Sequence, residues 1–338
     1  MKTLITLAGL SCLSGALPAQ TPATQDISLL NDRLHMQAPA GAVIQARSGS
    51  LMGAASAADN ETRVVYEKDG NKMVVMCYEM RATAEPGYPA AAQKRLTGYL
   101  EDEAPDYTVR TLGDDIVYAI RNKPIVRKAR DEANRYGIAD YRQKDGTLQR
   151  INFYFNNQAI ENHEACVAAV NRGIQSLKAG KRTLALDART VRLPAASEKQ
   201  EITVSLPKNH SFSVDCGADF YVTRIMKVGP IGHPRSQMGI YMGHHSQFDP
   251  SQHDDAKQIP ATVFGQPVIW YQNTLQTDDG KDYTRTETLV QPSITPGDDT
   301  PYFHLFIVTP DSASAQTLID AAKTLSIKEK GEPSGNSQ

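Results

Sequence analysis

Cysteine is scarce in this chain, and Cys12, Cys77, Cys166 and Cys216 include no Cys-x-x-Cys step. Thioredoxin-type redox chemistry and zinc ribbons are thereby excluded. An excess of one charge is also missing: 36 Lys and Arg stand against 38 Asp and Glu, a formal net charge of −2. No overall pull toward nucleic acid or an anionic membrane follows, and no nucleic-acid partner is expected. Gly-x-Ser-x-Gly, P-loop and Gly-x-Gly-x-x-Gly motifs are all absent, so serine-hydrolase, nucleotide-hydrolysing and dinucleotide-dependent chemistries lose their usual signatures. After Leu17 no apolar run is long enough to span a bilayer.

What is present begins with Lys2, an apolar run from Leu4 to Leu17 and then Pro18-Ala19-Gln20. This is the tripartite pattern of a secretory signal peptide, so residues 1–19 are expected to be removed and the protein exported, to a periplasm or outside the cell. Lipidation at Cys12 is disfavoured, because Gly9 stands where a leucine is wanted. Three cysteines then remain, so at least one thiol is unpaired or paired between chains. Cys77 lies in an apolar strand-like run and Cys166 in an amphipathic helix. Helix-on-sheet packing allows a bond between them, and two buried thiols fit equally. Residues 20–27 and 329–338 have compositions that build no core and are expected to be disordered.

Between these ends the same order of elements occurs twice. The first copy, residues 28–180, opens with the alternation Leu34, Met36, Ala38 and Pro39. Strands follow over 62–66, 73–80, 107–112 and 116–120, with a helix over 89–100 after the second of them and another over 124–135. A hairpin turns at Asp145-Gly146, and a helix closes the copy with Cys166, Val167, Val170, Ile174 and Leu177 on one stripe. The second copy, residues 200–328, opens with Ile202, Val204, Leu206 and Pro207. It continues through strands over 212–228 and 238–242, turns a hairpin at Asp279-Gly280, runs an apolar strand over 302–308 and closes with a helix bearing Ala315, Leu318, Ile319, Ala322 and Leu325. Residues 178–200 form the joint. The expected fold class is α+β: two related units, each an antiparallel sheet with its closing amphipathic helix on one face.

An opening strand running into a Leu-Pro or Ala-Pro step, a meander, a hairpin, an apolar strand and a closing helix together resemble the PsbP-like α/β/α sandwich family, here as a tandem duplication. The residues that carry the likeness are Ile202 to Pro207, Met238 to Met242, Val268 to Val290, and Tyr302 to Lys328. The resemblance implies scaffold units that bind proteins and are usually not enzymes, and it transfers no catalytic residue.

Candidate chemistry centres on the polar run from Gly243 to Asp255. His244, His245, Asp249 and His253 offer imidazole and carboxylate donors of the kind a divalent metal such as zinc takes. Adjacent strand residues point to opposite faces, so His244 and His245 share an ion only if the strand has ended, and a solvated polar loop accounts for the same residues. His163-Glu164-Ala165-Cys166-Val167 lacks the second histidine of a helical zinc-peptidase motif and is rejected. Paired carboxylates from the two units are a further option, Asp114 or Asp115 with Asp298 or Asp299, although turn formation beside Gly113 and Gly297 explains them as well. Trp270, Tyr271, Tyr302 and Phe303 supply an aromatic surface for sugar or peptide, or simply core. Nine Lys and Arg between residues 121 and 150 read as a solvated face before an anion patch.

The leading expectation is therefore an exported binding or scaffold protein whose partner is another protein or a small ligand, with no cofactor. Its rival is a secreted hydrolase, a peptidase acting through the His/Asp metal site or through paired aspartates.

Overall fold

A computed structural model describes residues 23–45, 61–100, 106–125, 134–195, 200–217, 219–232, 236–246, 248–253, 255–276, 280–292 and 301–329. The expected signal peptide over 1–19 and the expected disordered residues beyond 329 lie outside these. No described helix is long and apolar enough to cross a membrane.

The first half of the chain runs β1 (Thr24–Leu29), β2 (Leu34–Pro39), β3 (Val43–Gln45), β4 (Glu61–Lys68), β5 (Asn71–Thr83), α1 (Ala90–Leu100), β6 (Tyr107–Leu112), β7 (Ile116–Arg121), β8 (Asn134–Arg142), β9 (Thr147–Phe155), α2 (His163–Gln175) and β10 (Lys178–Ala179). The second half runs β11 (Arg189–Leu193), β12 (Gln200–Leu206), β13 (His210–Cys216), β14 (Tyr221–Lys227), β15 (Gln237–Gly243), β16 (Lys257–Val263), β17 (Gln266–Gln276), β18 (Asp282–Val290), β19 (Tyr302–Thr309), α3 (Ser312–Ala322) and β20 (Ser326–Glu329).

Four sheets result. The large ones have seven strands in the orders β3-β4-β5-β9-β8-β7-β6 and β13-β14-β15-β19-β18-β17-β16, and the small ones the orders β1-β2-β10 and β11-β12-β20. Adding ten to each strand number of the first pair gives the second pair, so the two halves share one strand order.

The α+β expectation is corrected. Of the described residues 54 % are in strands and 16 % in helices, and the protein is predominantly β. The strands that pattern reading passes over are short or at edges, where no buried face imposes a strict alternation. β16, for example, carries Pro260 and buries only Val263, and a proline with no N–H is tolerated on an edge strand. Two local expectations fall with it. Residues 24–27 belong to β1, and Asn134 and Arg135 of the expected helix over 124–135 begin β8, while 126–133 lie outside the described residues.

Each large sheet buries one face beneath a small sheet and a helix. In the first half β2, β5, β8, β9 and α2 bring Met36, Val75, Ile151, Phe153, Val170 and Ile174 into one core. In the second half β12, β15, β19 and α3 bring Val204, Ile240, Phe303, Leu305, Ile307, Leu318 and Ile319 together. Period-two alternation sorts β19: Phe303, Leu305 and Ile307 face this core, and His304, Phe306 and Val308 face away. Fully burying side chains of this size stabilises by about 1.5–3 kcal/mol each.

Cys77 and Cys166 are free thiols in the first core, each pushed up by burial, Cys166 to about 12. Near Cys77 lies an ionic pair out of reach of water. Arg33 Nε donates to Glu79 Oε2 at 2.6 Å, and Gln149 Nε2 donates to the same oxygen at 3.2 Å. Burial pushes the Glu79 carboxyl up against the opposing pull of Arg33. The halves touch where Thr83 N donates to Gly229 O at 2.8 Å and Ile231 N to Thr83 O at 3.0 Å.

Candidate functional site

The outer faces of the two large sheets are treated differently. In the first half the β5–β6 connection forms α1, whose Ala92, Leu96 and Leu100 pack on Val117, Ala119 and Ile138. Arg95 of α1 and Arg150 of β9 both reach the fully buried Asp140 carboxylate, at 2.8 Å. That face is sealed. In the second half the described residues of the corresponding β15–β16 connection form only a 3-10 turn, Pro250–Gln252. The outer face there keeps a cavity of about 800 Å³ over β14, β15, β19, β18 and β17.

The short connection is shaped by its own hydrogen bonds. Asp249 accepts from the Ser251 backbone N–H at 3.0 Å and from the Ser251 hydroxyl at 2.8 Å, which caps the turn. The same bonds hold its exposed carboxyl below the usual range. The turn sets Phe248 and His253 over the sheet, and Phe248 lies between two imidazoles: His253 at 4.9 Å between ring centroids and His304 at 5.2 Å, the latter within 13° of parallel. Such offset aromatic pairs contribute roughly 0.5–1.5 kcal/mol beyond the area they bury. Tyr271 approaches Phe248 at 5.9 Å.

At the floor sits Glu287, 3 % exposed. Arg285 Nη2 donates to its Oε1 at 2.8 Å and His304 Nε2 lies 3.1 Å from the same oxygen. Burial alone raises this carboxyl, and the bonds and charges of His304 and Arg285 outweigh it, so the net shift is downward and the group is ionised at neutral pH. Oε2 has no partner among the described residues and faces the cavity. Phe306 provides the flat part of the floor, over Gly239. Phe220 stacks on Tyr241 at 5.7 Å and forms the opposite wall, while Asn273, Thr274 and Leu275 supply the rim.

The metal candidates are distributed rather than convergent. His245 and His253 line the cavity, exposed His244 lines a separate small pocket with Met242 and Pro301, and Asp249 serves its own turn. Among the described residues no three His, Cys, Asp or Glu side chains group as a metal ion requires. Of the aspartates, Asp115 pairs with Arg142 at 2.9 Å beside the β6–β7 turn, and Asp298 and Asp299 lie outside the described residues. Trp270 and Phe303 are core, whereas Tyr271 faces the cavity side and Tyr302 is exposed at the strand end. Among the described residues, four of the nine cations over 121–150 pair with carboxylates: Arg121 and Lys123 with Asp106, Arg142 with Asp115 and Arg150 with Asp140.

Glu287, Arg285, His304 and Phe306 were not singled out by sequence. Their signal is present in β18 and β19, where polar and aromatic side chains recur on the face opposite an apolar alternation. It becomes specific only once the covering connection is known to be short. No protein-family model, no curated protein and no solved structure matches the chain.

Proposed function

We propose that the protein is an exported, non-catalytic ligand-binding protein whose binding site is the outer face of the second large sheet. The observation that carries this reading is the contrast between the halves. The same strand order is closed by α1 over Asp140 in one and left open over Glu287 in the other. A sealed outer face is a packing solution, and an open one with a buried, ionised carboxylate and several ring faces is the usual form of a ligand site. Export is supported by the Lys2 to Gln20 pattern. From the PsbP-like resemblance the reading keeps only that such units bind rather than turn over a substrate.

A thermal-shift screen of a mixed small-molecule library tests it. A ligand at 100 times its Kd stabilises by about 2.7 kcal/mol. The expected result is at least one hit that raises Tm in the wild type and loses its effect in His304→Ala and Phe248→Ala. Hits indifferent to both substitutions, an empty screen, or consumption of a hit compound would overturn the reading.

A further inference from the structure

Resting on the binding site just proposed, we infer that its ligand is a neutral oligosaccharide, held by one sugar face against Phe306 and by a hydroxyl donating to Glu287 Oε2.

Charge comes first. Glu287 is matched by Arg285 at 2.8 Å and His304 at 3.1 Å, so the floor is locally balanced. An anionic ligand meets the Glu287 carboxylate and a cationic one the Arg285 guanidinium, and the remaining carboxylate on the lining, Asp219, is exposed at the wall where solvent screens it. What remains is hydrogen-bonding capacity: an unpartnered carboxylate oxygen on a 3 % exposed residue, the other N–H groups of Arg285, and the Asn273 amide at the rim. That oxygen is open at the cavity floor rather than buried, so a hydroxyl donor reaches it without bringing a charge.

Ring geometry narrows the class further. Phe248 is sandwiched by His253 and His304, Phe220 is stacked on Tyr241, and the Phe306 ring is backed by Gly239. Each ring offers one free face at most, so there is no slot into which a planar base or flavin slides. A sugar ring, apolar on a face and polar at its edge, needs one aromatic face and a polar rim. The backbone excludes an added peptide strand, because β15, β19, β18 and β17 each pair on both sides. At about 800 Å³ the cavity exceeds what one sugar ring fills.

The full-length protein is titrated calorimetrically with a panel of neutral oligosaccharides, with uronic-acid oligosaccharides and with spermidine as charged controls. Binding is expected for at least one neutral oligosaccharide, unchanged between 50 mM and 500 mM salt because no net charge is exchanged. The loss of a ring face or of the carboxylate is expected to weaken it about tenfold in Phe306→Leu and in Glu287→Gln, with Asn273→Ala as a rim variant that leaves the core untouched. No neutral binding, preference for a charged control, or binding unmoved by Asn273→Ala and Glu287→Gln overturns the assignment. If library compounds other than sugars still bind in a His304-dependent way, the binding-site reading stands and only the ligand class falls.

Discussion

Phe306 on β19 fills the space above Gly239, its register partner on β15, where a Cβ would overlap the ring. A strand glycine covered by an aromatic neighbour removes the need for a side chain there and flattens the cavity floor. Gly239→Ala is therefore expected to displace the ring, to destabilise the protein by about 1–3 kcal/mol in urea denaturation, and to weaken ligand binding at the same time. An alanine variant of unchanged stability would show that the ring moves freely.

The Arg33–Glu79 pair links the β1–β2 turn to β5 through a buried contact, and it behaves as a lock rather than a source of net attraction. Arg33→Met leaves a carboxylate buried without its partner and is expected to cost about 3–5 kcal/mol. Arg33→Met combined with Glu79→Leu is expected to recover much of that loss. Denaturation midpoints of the single and double variants decide between a lock and a simple sum of contacts.

Acid response isolates the Glu287 site. Its folded carboxyl lies below the ordinary value of 4.5 because the bonds from His304 and Arg285 outweigh burial. The stabilisation is thus fully present above about pH 4.5 and is lost as pH falls from there through the folded value. Unfolding free energies measured from pH 6 to pH 3 should fall more steeply in the wild type than in Glu287→Gln, and parallel curves would contradict the pairing.

Alkylation read peptide by peptide should leave Cys77 and Cys166 unlabelled in the native protein and label both in denaturant, since burial keeps each thiol protonated and inaccessible. A cross-linked Cys77–Cys166 peptide in a non-reducing digest would refute the free-thiol state.

Much of the strand pattern is legible in the sequence where a face is buried. Leu34, Met36 and Ala38, and Phe303, Leu305 and Ile307, announce their strands by alternation. Both closing helices are equally plain from their stripes. The short strands are silent, because β3 exposes Val43 and Ile44 and β10 is only Lys178–Ala179. The site was half legible. His245 and His253 were singled out for their chemistry, yet their use depends on how the β15–β16 connection folds back over the sheet. The ionised floor was hidden, because Glu287 in an alternating strand looks like any solvent-facing acid until Arg285 and His304 are seen beside it.

In each half the strand after the closing helix returns to lie against the second strand, Lys178 opposite His35 and Ser326 opposite Thr203. The polypeptide leaves each half next to the place where it entered. Such a module can be copied in tandem, or joined head to tail into a ring and reopened at another loop, without any segment having to thread through another.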